Sequence, residues 1–357
     1  MGKGKSRRKL ARRLLPLALC GVVLGLQWWT LSPHRVAGVI LQQELGPFVT
    51  RTPSPWETLV TGELTTLDTP NPESSHLPAT DSELREQQPH TEDGGDATPQ
   101  TITANSNTLT GTIDLNNNTD HLSVDIEALC ATALPQKLQP AQAGPQILIM
   151  HTHGSEAYAM AGEDIYTETD NARTDDPNYN MLRIGEEMKA VFESMGLSVI
   201  HDTTLYDYPS YSGSYGRSLK GIQSYLERYP TIGVVLDVHR DALIAADGTV
   251  YKAVTEVEGE KVAQIMLVCG TNDGGLTHPS WKDNLTLAGQ IQLHLTQVEP
   301  TLARPVNLRS QRFNQHMTAG SLLVEVGTSG NTLQEALRGA RLFAQAAGEV
   351  YLSLVEE

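Results

Sequence analysis

The chain has 357 residues, enough for two ordinary domains, but only 39% of them are hydrophobic and 5% aromatic, which is less than a typical globular mixture. Seven of the 26 basic residues lie in the first 13 positions, so the rest of the chain carries 19 basic against 42 acidic residues, a net charge of −23. This acidity excludes a nucleic-acid-binding body, which would need a basic face. Three cysteines exclude a disulfide scaffold and a four-cysteine zinc site.

The N-terminus predicts a membrane anchor. A basic tail at 1–13 precedes an uncharged apolar run at 14–31 that includes Trp28 and Trp29. A basic flank keeps the N-terminus in the cytoplasm, and the run is near the lower limit of roughly 17–25 residues for a transmembrane helix. We therefore predict a single-pass signal anchor in the cell membrane with the rest of the chain outside. A cleaved signal peptide is the alternative.

Residues 32–144 are predicted to form an extracytoplasmic linker. Ten of the 19 prolines lie between 51 and 146, among many Thr, Ser, Asn and acidic residues. Such a composition buries too little apolar surface to offset the entropy of ordering. One weakly amphipathic patch, at 122–134, is expected to dock on the domain that follows.

The folded domain is predicted at 145–357. Strands are expected at 147–150, 197–200, 232–238, 250–257, 262–269 and 321–326, and helices at 180–195, 217–229, 281–298 and 332–354. The Asp247-Gly248 pair is expected to turn a hairpin between the strand that ends at Val238 and the strand at 250–257. Strands that alternate with helices predict a three-layer α/β domain with a mostly parallel central sheet.

Polar residues follow the apolar strands of this domain. His151 and His153 follow the first, His239 ends another, and Glu325 lies near the end of the last. Ligand sites in open α/β sheets lie beyond the carboxyl ends of the strands. Two imidazoles and a carboxylate, with a fourth position open to water, are the ligands of a hydrolytic zinc site. The alternative is that each histidine caps a turn or pairs with an acid, and the residues alone leave open whether His151 is a ligand.

Four ordered motifs over about 145–355 resemble the stage II sporulation protein P family. They are His-Thr-His-Gly-Ser-Glu-Ala-Tyr (151–158), Val-Val-Leu-Asp-Val-His-Arg-Asp-Ala (234–242), Gly-Thr-Asn (270–272) with Pro-Ser-Trp-Lys-Asp-Asn-Leu (279–285), and Leu-Leu-Val-Glu-Val-Gly (322–327) with Asn331. The resemblance implies a peptidoglycan hydrolase of spore-forming Firmicutes that acts during engulfment. It also implies cleavage of the amide between N-acetylmuramic acid and L-alanine, and of peptide cross-links, by a domain similar to zinc-dependent N-acetylmuramoyl-L-alanine amidases.

The same resemblance assigns the site residues. It implies Zn²⁺ as the cofactor, held by His153, His239 and an acidic ligand, for which Glu156 is our choice and Glu168 or Asp176 the reserves. Glu325, with Asn331 six residues on, becomes the catalytic base. Arg240 would stabilise the oxyanion or bind a peptide carboxylate, unless it only pairs with Asp237 or Asp241. The weaker substrate-binding candidates come from the residues themselves: Asn272 lies in the Gly-rich turn at 270–275, and Trp281 and Asn284 after it either rim a substrate groove or merely cap a helix.

The resemblance also implies partners. These are the peptidoglycan substrate, the membrane through the N-terminal helix, and the stage II sporulation proteins M and D. Two other functions stay open: a different zinc peptidase that acts on the stem peptides of the wall, and a catalytically silent wall-binding scaffold. A tyrosine cluster (Tyr206, Tyr208, Tyr211 and Tyr215) either packs a loop or contacts a sugar or peptide.

Overall fold

A computed structural model describes residues 97–102, 113–134 and 136–356. The predicted anchor at 14–31 and most of the predicted linker lie outside these residues. Within the described part of the chain, no helix is both long and apolar enough to cross a membrane.

The described residues form eleven strands and five α-helices. The strands are β1 (Thr98–Gln100), β2 (Leu115–Asn118), β3 (Ile147–Met150), β4 (Val199–His201), β5 (Val234–Asp241), β6 (Leu243–Ile244), β7 (Val250–Val257), β8 (Glu260–Ala263), β9 (Ile265–Gly270), β10 (Val306–Arg309) and β11 (Gly320–Thr328). The helices are α1 (Ile126–Cys130), α2 (Met181–Ser194), α3 (Ser214–Arg228), α4 (Trp281–Val298) and α5 (Leu333–Ser353). A hairpin with β7 is present, but its first strand is the short β6 rather than the strand predicted at 232–238, which pairs with β3 and β11 as β5.

Seven strands form the central sheet, in the order β2-β10-β9-β11-β5-β3-β4. All neighbours are parallel except β9 and β11, which are antiparallel. The prediction of a mixed α/β fold with a mostly parallel sheet is therefore confirmed. The shorter strands β1, β6 and β8 pair with β7 in a second, smaller sheet.

Helices cover both faces of the central sheet, as the three-layer prediction requires. Alternate strand residues such as Ile147 and Leu236 point into a large core with α2, α4 and α5. The intervening residues, such as Leu148 and Val235, pack against Ile222 of α3 on the opposite face. On this second face, helix α3 packs against β3, β4 and β5. The other half of this face, over β11, β9 and β10, is not packed against α3 and borders an open cleft.

The long helices start and stop where their sequence dictates. Asn180 caps α2, since its side chain accepts a hydrogen bond from the Leu182 amide, and Gly196 follows the helix with φ +91°. Thr332 and Glu335 form a capping box at the start of α5. Such caps contribute typically about 1 kcal/mol each. The observed helices α2 and α5 therefore begin and end within a few residues of the predicted bounds.

Two details of the predicted strands are wrong. The single strand expected at 262–269 is divided into β8 and β9 at Gln264, whose buried side chain bonds the backbone of Ile102 and Thr301. These bonds turn the chain between the two strands. Strand β10 was not predicted, because its sequence is short and half polar.

The linker boundary at 144 also needs correction for the stretches that the structure describes. Strand β2 pairs with β10 at the edge of the central sheet, and β1 pairs with β7. Helix α1 lies in the patch at 122–134 and packs against α4, as expected for a patch that docks. These stretches therefore belong to the folded domain. Composition alone does not reveal this, because it depends on pairing with β7 and β10 and on packing against α4.

Candidate metal centre

The structure brings His153, Glu156 and His239 together. One ligand atom from each lies within 4.8 Å of the others, and all three residues are buried. Nδ1 of His153 is 3.5 Å from Glu156 Oε1, and Nδ1 of His239 is 3.6 Å from Glu156 Oε2. In a tetrahedral zinc site with bonds of about 2.0–2.1 Å, neighbouring ligand atoms lie about 3.4 Å apart. The donor atoms and their spacing therefore fit a zinc ion.

Local chain geometry explains how these residues meet. His153 and Glu156 lie in one turn directly after β3, and the Glu156 amide donates to the His153 carbonyl at 3.2 Å. His239 lies in β5, which is the neighbour of β3 in the sheet. The rings of His153 and His239 are 5.0 Å apart and almost perpendicular. The turn after β3 and the end of β5 thus supply all three candidate ligands.

A carboxylate behind the cluster orients His239. Asp237 Oδ1 lies 2.8 Å from His239 Nε2, and the amide and hydroxyl of Thr152 donate to Asp237 at 2.7 and 2.6 Å. Burial opposes a charge on His239, but Asp237 and Glu156 hold its pKa well above the usual value. The arrangement leaves Nδ1 directed toward Glu156, as a carboxylate–histidine–metal triad requires.

The Glu156 carboxylate contacts Arg173, the backbone amide of Arg240 and the two histidines. The Arg240 amide donates to Oε2 at 3.2 Å, and Arg173 Nη2 lies 3.4 Å from Oε1. Burial opposes ionisation, but Arg240 and the two histidines hold the pKa of Glu156 well below its ordinary value. Arg173 is itself fixed by Asp207 at 2.6 Å, which also accepts a hydrogen bond from Ser155. Sequence reasoning missed Arg173 and Asp207, because they are distant in the chain and belong to no motif.

Arg240 lines the cleft beside the cluster, but it pairs with neither of the acids considered for it. Its Nε donates to the Ala157 carbonyl at 3.0 Å and its Nη2 to the Ala172 carbonyl at 3.1 Å. Asp241 pairs instead with Arg304, at 2.8 Å. The Arg240 side chain therefore fastens the loop that carries Glu156.

Glu325 lies beside the cluster and outside it. It is the register partner of His239 across the β5–β11 pair, and its side chain lines the cleft. One carboxylate oxygen, Oε2, is buried without a hydrogen-bond partner among the described residues. Burial and the charge of Asp241 raise its pKa to about 8, while His239 acts in the opposite direction. A carboxyl with these properties can hold or release a proton at neutral pH.

The cleft is about 210 Å³ in volume and runs from the metal cluster across the uncovered half of the sheet. Tyr211 and Tyr215 form one wall, with their rings 4.5 and 5.5 Å from that of His153. Of the other tyrosines in the predicted cluster, Tyr206 is buried against Asp202 and Tyr208 is exposed. Two of the four tyrosines therefore face the site.

His151 and the reserve acids lie outside the cluster. His151 is fully buried, with Nδ1 2.8 Å from the Val238 carbonyl and Nε2 2.9 Å from His201 Nε2. Helix α2 passes this pair at Gly185, where a Cβ atom would lie 2.4–2.5 Å from the two imidazoles. Glu168 and Asp176 bond backbone amides of their own loop. The structure thus groups His153 and Glu156 with His239 and leaves these three out.

The weaker substrate-binding predictions are not supported by position. Trp281 is buried in the main core, and Asn284 is fully buried and donates to the carbonyls of Thr318 and Ser321. Both lie in the first turn of α4, which packs against the sheet, and this is why they face inward. Asn272 lines a separate depression. Asn331 is buried and caps the turn after β11 through the Thr328 amide.

The sequence profile of the stage II sporulation protein P family matches residues 42–348. The chain belongs to this family. It is 24% identical over 218 residues to the stage II sporulation protein P of Bacillus subtilis (strain 168), an alignment that covers 57% of this chain and 51% of the relative. The chain thus matches about half the length of that curated relative.

Solved structures with a similar fold include the CwlD amidase of Clostridioides difficile in complex with the GerS lipoprotein. It is 18% identical, with 58% of this chain and 98% of that chain covered and a TM-score of 0.37. Another is the catalytic domain of CwlV, an N-acetylmuramoyl-L-alanine amidase from Bacillus (Paenibacillus) polymyxa, at 11% identity, 58% and 99% coverage and a TM-score of 0.35. With TM-scores below 0.5, these likenesses add nothing to what the geometry shows.

Proposed function

We propose that this chain is a zinc-dependent peptidoglycan hydrolase that cleaves the amide between N-acetylmuramic acid and L-alanine during engulfment in sporulation. The observation that carries the proposal is the placement of His153, Glu156 and His239 beside Glu325 at one end of an open cleft. Family membership supports a role in sporulation, and two histidines and a carboxylate beside a further carboxyl suit metal-assisted hydrolysis of an amide bond. Cleavage of peptide cross-links is a second activity that the same site could perform.

The roles of the residues follow from their positions. His153, Glu156 and His239 would hold Zn²⁺, which when bound would supply a Lewis acid for the scissile carbonyl and lower the pKa of water at the site to about 7. Glu325 accepts a proton from the attacking water and returns it to the leaving amine, a role worth about 10²–10⁴-fold in rate. Asp237 keeps the His239 ring in its orientation. Arg240 positions Glu156 by fastening its loop, and the backbone amide of Arg240 donates to the Glu156 carboxylate.

We also propose the location and the partners of the protein. The basic tail at 1–13 and the apolar run at 14–31 favour a single-pass anchor with a cytoplasmic N-terminus, so that the domain faces the wall. Wall hydrolysis must be confined to one place, which favours recruitment by a membrane protein, stage II sporulation protein M, and cooperation with stage II sporulation protein D. A reporter fused after residue 357 should be active only outside the cytoplasm. Activity confined to the cytoplasm would contradict this topology.

A wall digest tests the hydrolase proposal. The full chain, loaded with zinc, is incubated with purified peptidoglycan, and the soluble products are identified by mass. An amidase releases intact stem peptides that begin with L-alanine, whereas a peptidase releases peptide fragments and leaves L-alanine on the glycan. The chelator-treated chain is the control and should release neither. A wall-binding scaffold would release no product in either sample, and that result would refute the proposal.

A further inference from the structure

The cleft has a positively charged end opposite the metal cluster. Arg309, the last residue of β10, lines this end together with Gln311. Among the described residues no carboxylate pairs with the Arg309 guanidinium, although the Arg309 carbonyl accepts a hydrogen bond from the Thr271 hydroxyl. The amide oxygen of Gln311 is buried and also lacks a partner in the described part of the chain. Both groups are thus available to a ligand.

Strand alternation directs Arg309 toward the cleft. Val306 and Leu308 of β10 point into the main core, so Asn307 and Arg309 lie on the opposite face. That face also carries His239 and Glu325. Arg309 lies three strands across the sheet from His239, at about 4.8 Å per strand, and four residues along the strand direction, at about 3.3 Å per residue. Because these two displacements are perpendicular, the two Cα atoms are roughly 19 Å apart.

The floor between the two ends is apolar. Met266, Val268 and Leu323 form a small buried cluster there, and Phe313 packs against it. An extended ligand would therefore meet the metal cluster at one end, apolar side chains in the middle and a guanidinium at the other end. At about 3.3–3.6 Å per residue, 19 Å corresponds to five or six extended residues between the Cα atoms. Because the arginine side chain extends toward the ligand, the ligand itself needs only about three to five residues between the metal cluster and the guanidinium.

The positive end is notable in a chain with a net charge of −23 after residue 13. Arg312 lies nearby, with Nη1 donating to the Thr277 carbonyl and Nε buried without a partner among the described residues. Arg309 is therefore the cationic side chain that lines this end of the cleft, and the nearby Asp273 carboxylate is held by Ser310 and His121, which favours an anionic ligand at Arg309.

We propose that Arg309 binds a carboxylate of an acidic peptide, three to five residues from the scissile amide, with Gln311 accepting a hydrogen bond from the same peptide. The peptide portion of the substrate, rather than its glycan portion, then lies along the cleft. The position of the scissile amide at the metal centre rests on the function proposed above. Arg309 is in this view a specificity-determining residue, and the preferred substrate is a peptide with free carboxylates.

The test compares two muramyl pentapeptides, one with all its carboxylates free and one with all of them converted to carboxamides. Binding to the full, zinc-loaded chain is measured by calorimetry, and kcat/KM by product mass. A hydrogen-bonded charge pair should give a preference of about 10–100-fold for the free acids. Arg309→Gln should abolish this preference, because the guanidinium that distinguishes a carboxylate from a carboxamide is gone. Arg309→Lys should keep part of it, since a point charge remains.

Arg338→Gln is the matched control, because Arg338 pairs with Glu260 at the surface and does not line the cleft. It should keep the full preference. The inference is overturned if the unchanged chain binds both peptides equally, if Arg309→Gln still prefers the free acids, or if Arg309→Gln weakens both peptides alike. Should no peptide be hydrolysed while calorimetry shows a preference that depends on Arg309, the carboxylate site stands and the hydrolase proposal fails.

Discussion

Replacing Glu325 with glutamine should separate proton transfer from metal binding. The glutamine side chain has nearly the same shape, and Glu325 is not one of the three clustered ligands. One of its oxygens has no hydrogen-bond partner among the described residues, so the amide displaces no existing contact there. The change therefore removes a proton acceptor and leaves the zinc ligands untouched.

The expected effect on the rate is that of losing a general base. Loss of a general base lowers kcat by about 10²–10⁴-fold, which corresponds to roughly 2.7–5.4 kcal/mol of barrier. Stability should not fall, because burial and Asp241 already disfavour the charged form of Glu325 and raise its pKa to about 8. A neutral amide avoids that penalty. We expect a folded, zinc-loaded chain that binds wall and hardly cleaves it.

The assay measures zinc content, thermal unfolding and release of stem peptides for Glu325→Gln. Glu349→Gln is the control, because Glu349 is exposed on α5 and does not line the cleft. It should match the unchanged chain in all three measurements. If Glu325→Gln is folded and holds zinc but releases peptides at a near-normal rate, Glu325 is not the base. If it loses zinc, Glu325 belongs to the metal site and the ligand set is wrong.

Three further changes test other parts of the structure. His153→Ala should lose zinc, whereas His151→Gln should keep it, as measured by metal analysis; the reverse result would exchange the two histidines in the ligand set. Burial and neighbouring cationic groups lower the pKa of His278 from 6.5 to about 4, so the fold should lose on the order of 3 kcal/mol as the pH falls from 6.5 to 4. Urea unfolding at pH 7 and 4.5 should show that this loss disappears in His278→Gln but not in His294→Gln. Asn284→Leu leaves two buried carbonyls unpaired and should cost about 1–3 kcal/mol for each in urea unfolding, with kcat/KM per folded molecule unchanged; a selective fall in kcat/KM would return Asn284 to the substrate site.

The histidine ligands could be predicted because their positions depend on neighbouring strands, whereas Glu156 was chosen only from the family resemblance. A histidine after β3 and another in β5 must meet if these strands are parallel neighbours. The choice between His151 and His153 could not be made in the same way. It depends on helix α2, which passes close to the His151 and His201 rings at Gly185 and leaves His153 to face the cleft.

The sheet itself could be predicted from apolar runs and from their alternation with helices. Strands β2 and β10 could not, because each has four residues and half or more of them are polar. Their pairing depends on an edge that only the folded domain provides. The loop contacts of Arg173 and Asp207 likewise join residues 34 positions apart and follow from no local pattern.

The antiparallel strand β9 explains why the cleft extends over a face of the sheet. Active-site residues gather at one edge when every strand runs the same way. Because β9 runs against β11, the loop after Gly270 leaves the sheet at the end opposite His239 and carries Asn272 away from the metal cluster. Strand β10 runs parallel to β9, so Arg309 lies toward that same far end. Alternation across the strands, rather than their carboxyl ends, therefore determines which side chains of β9 and β10 reach the cleft.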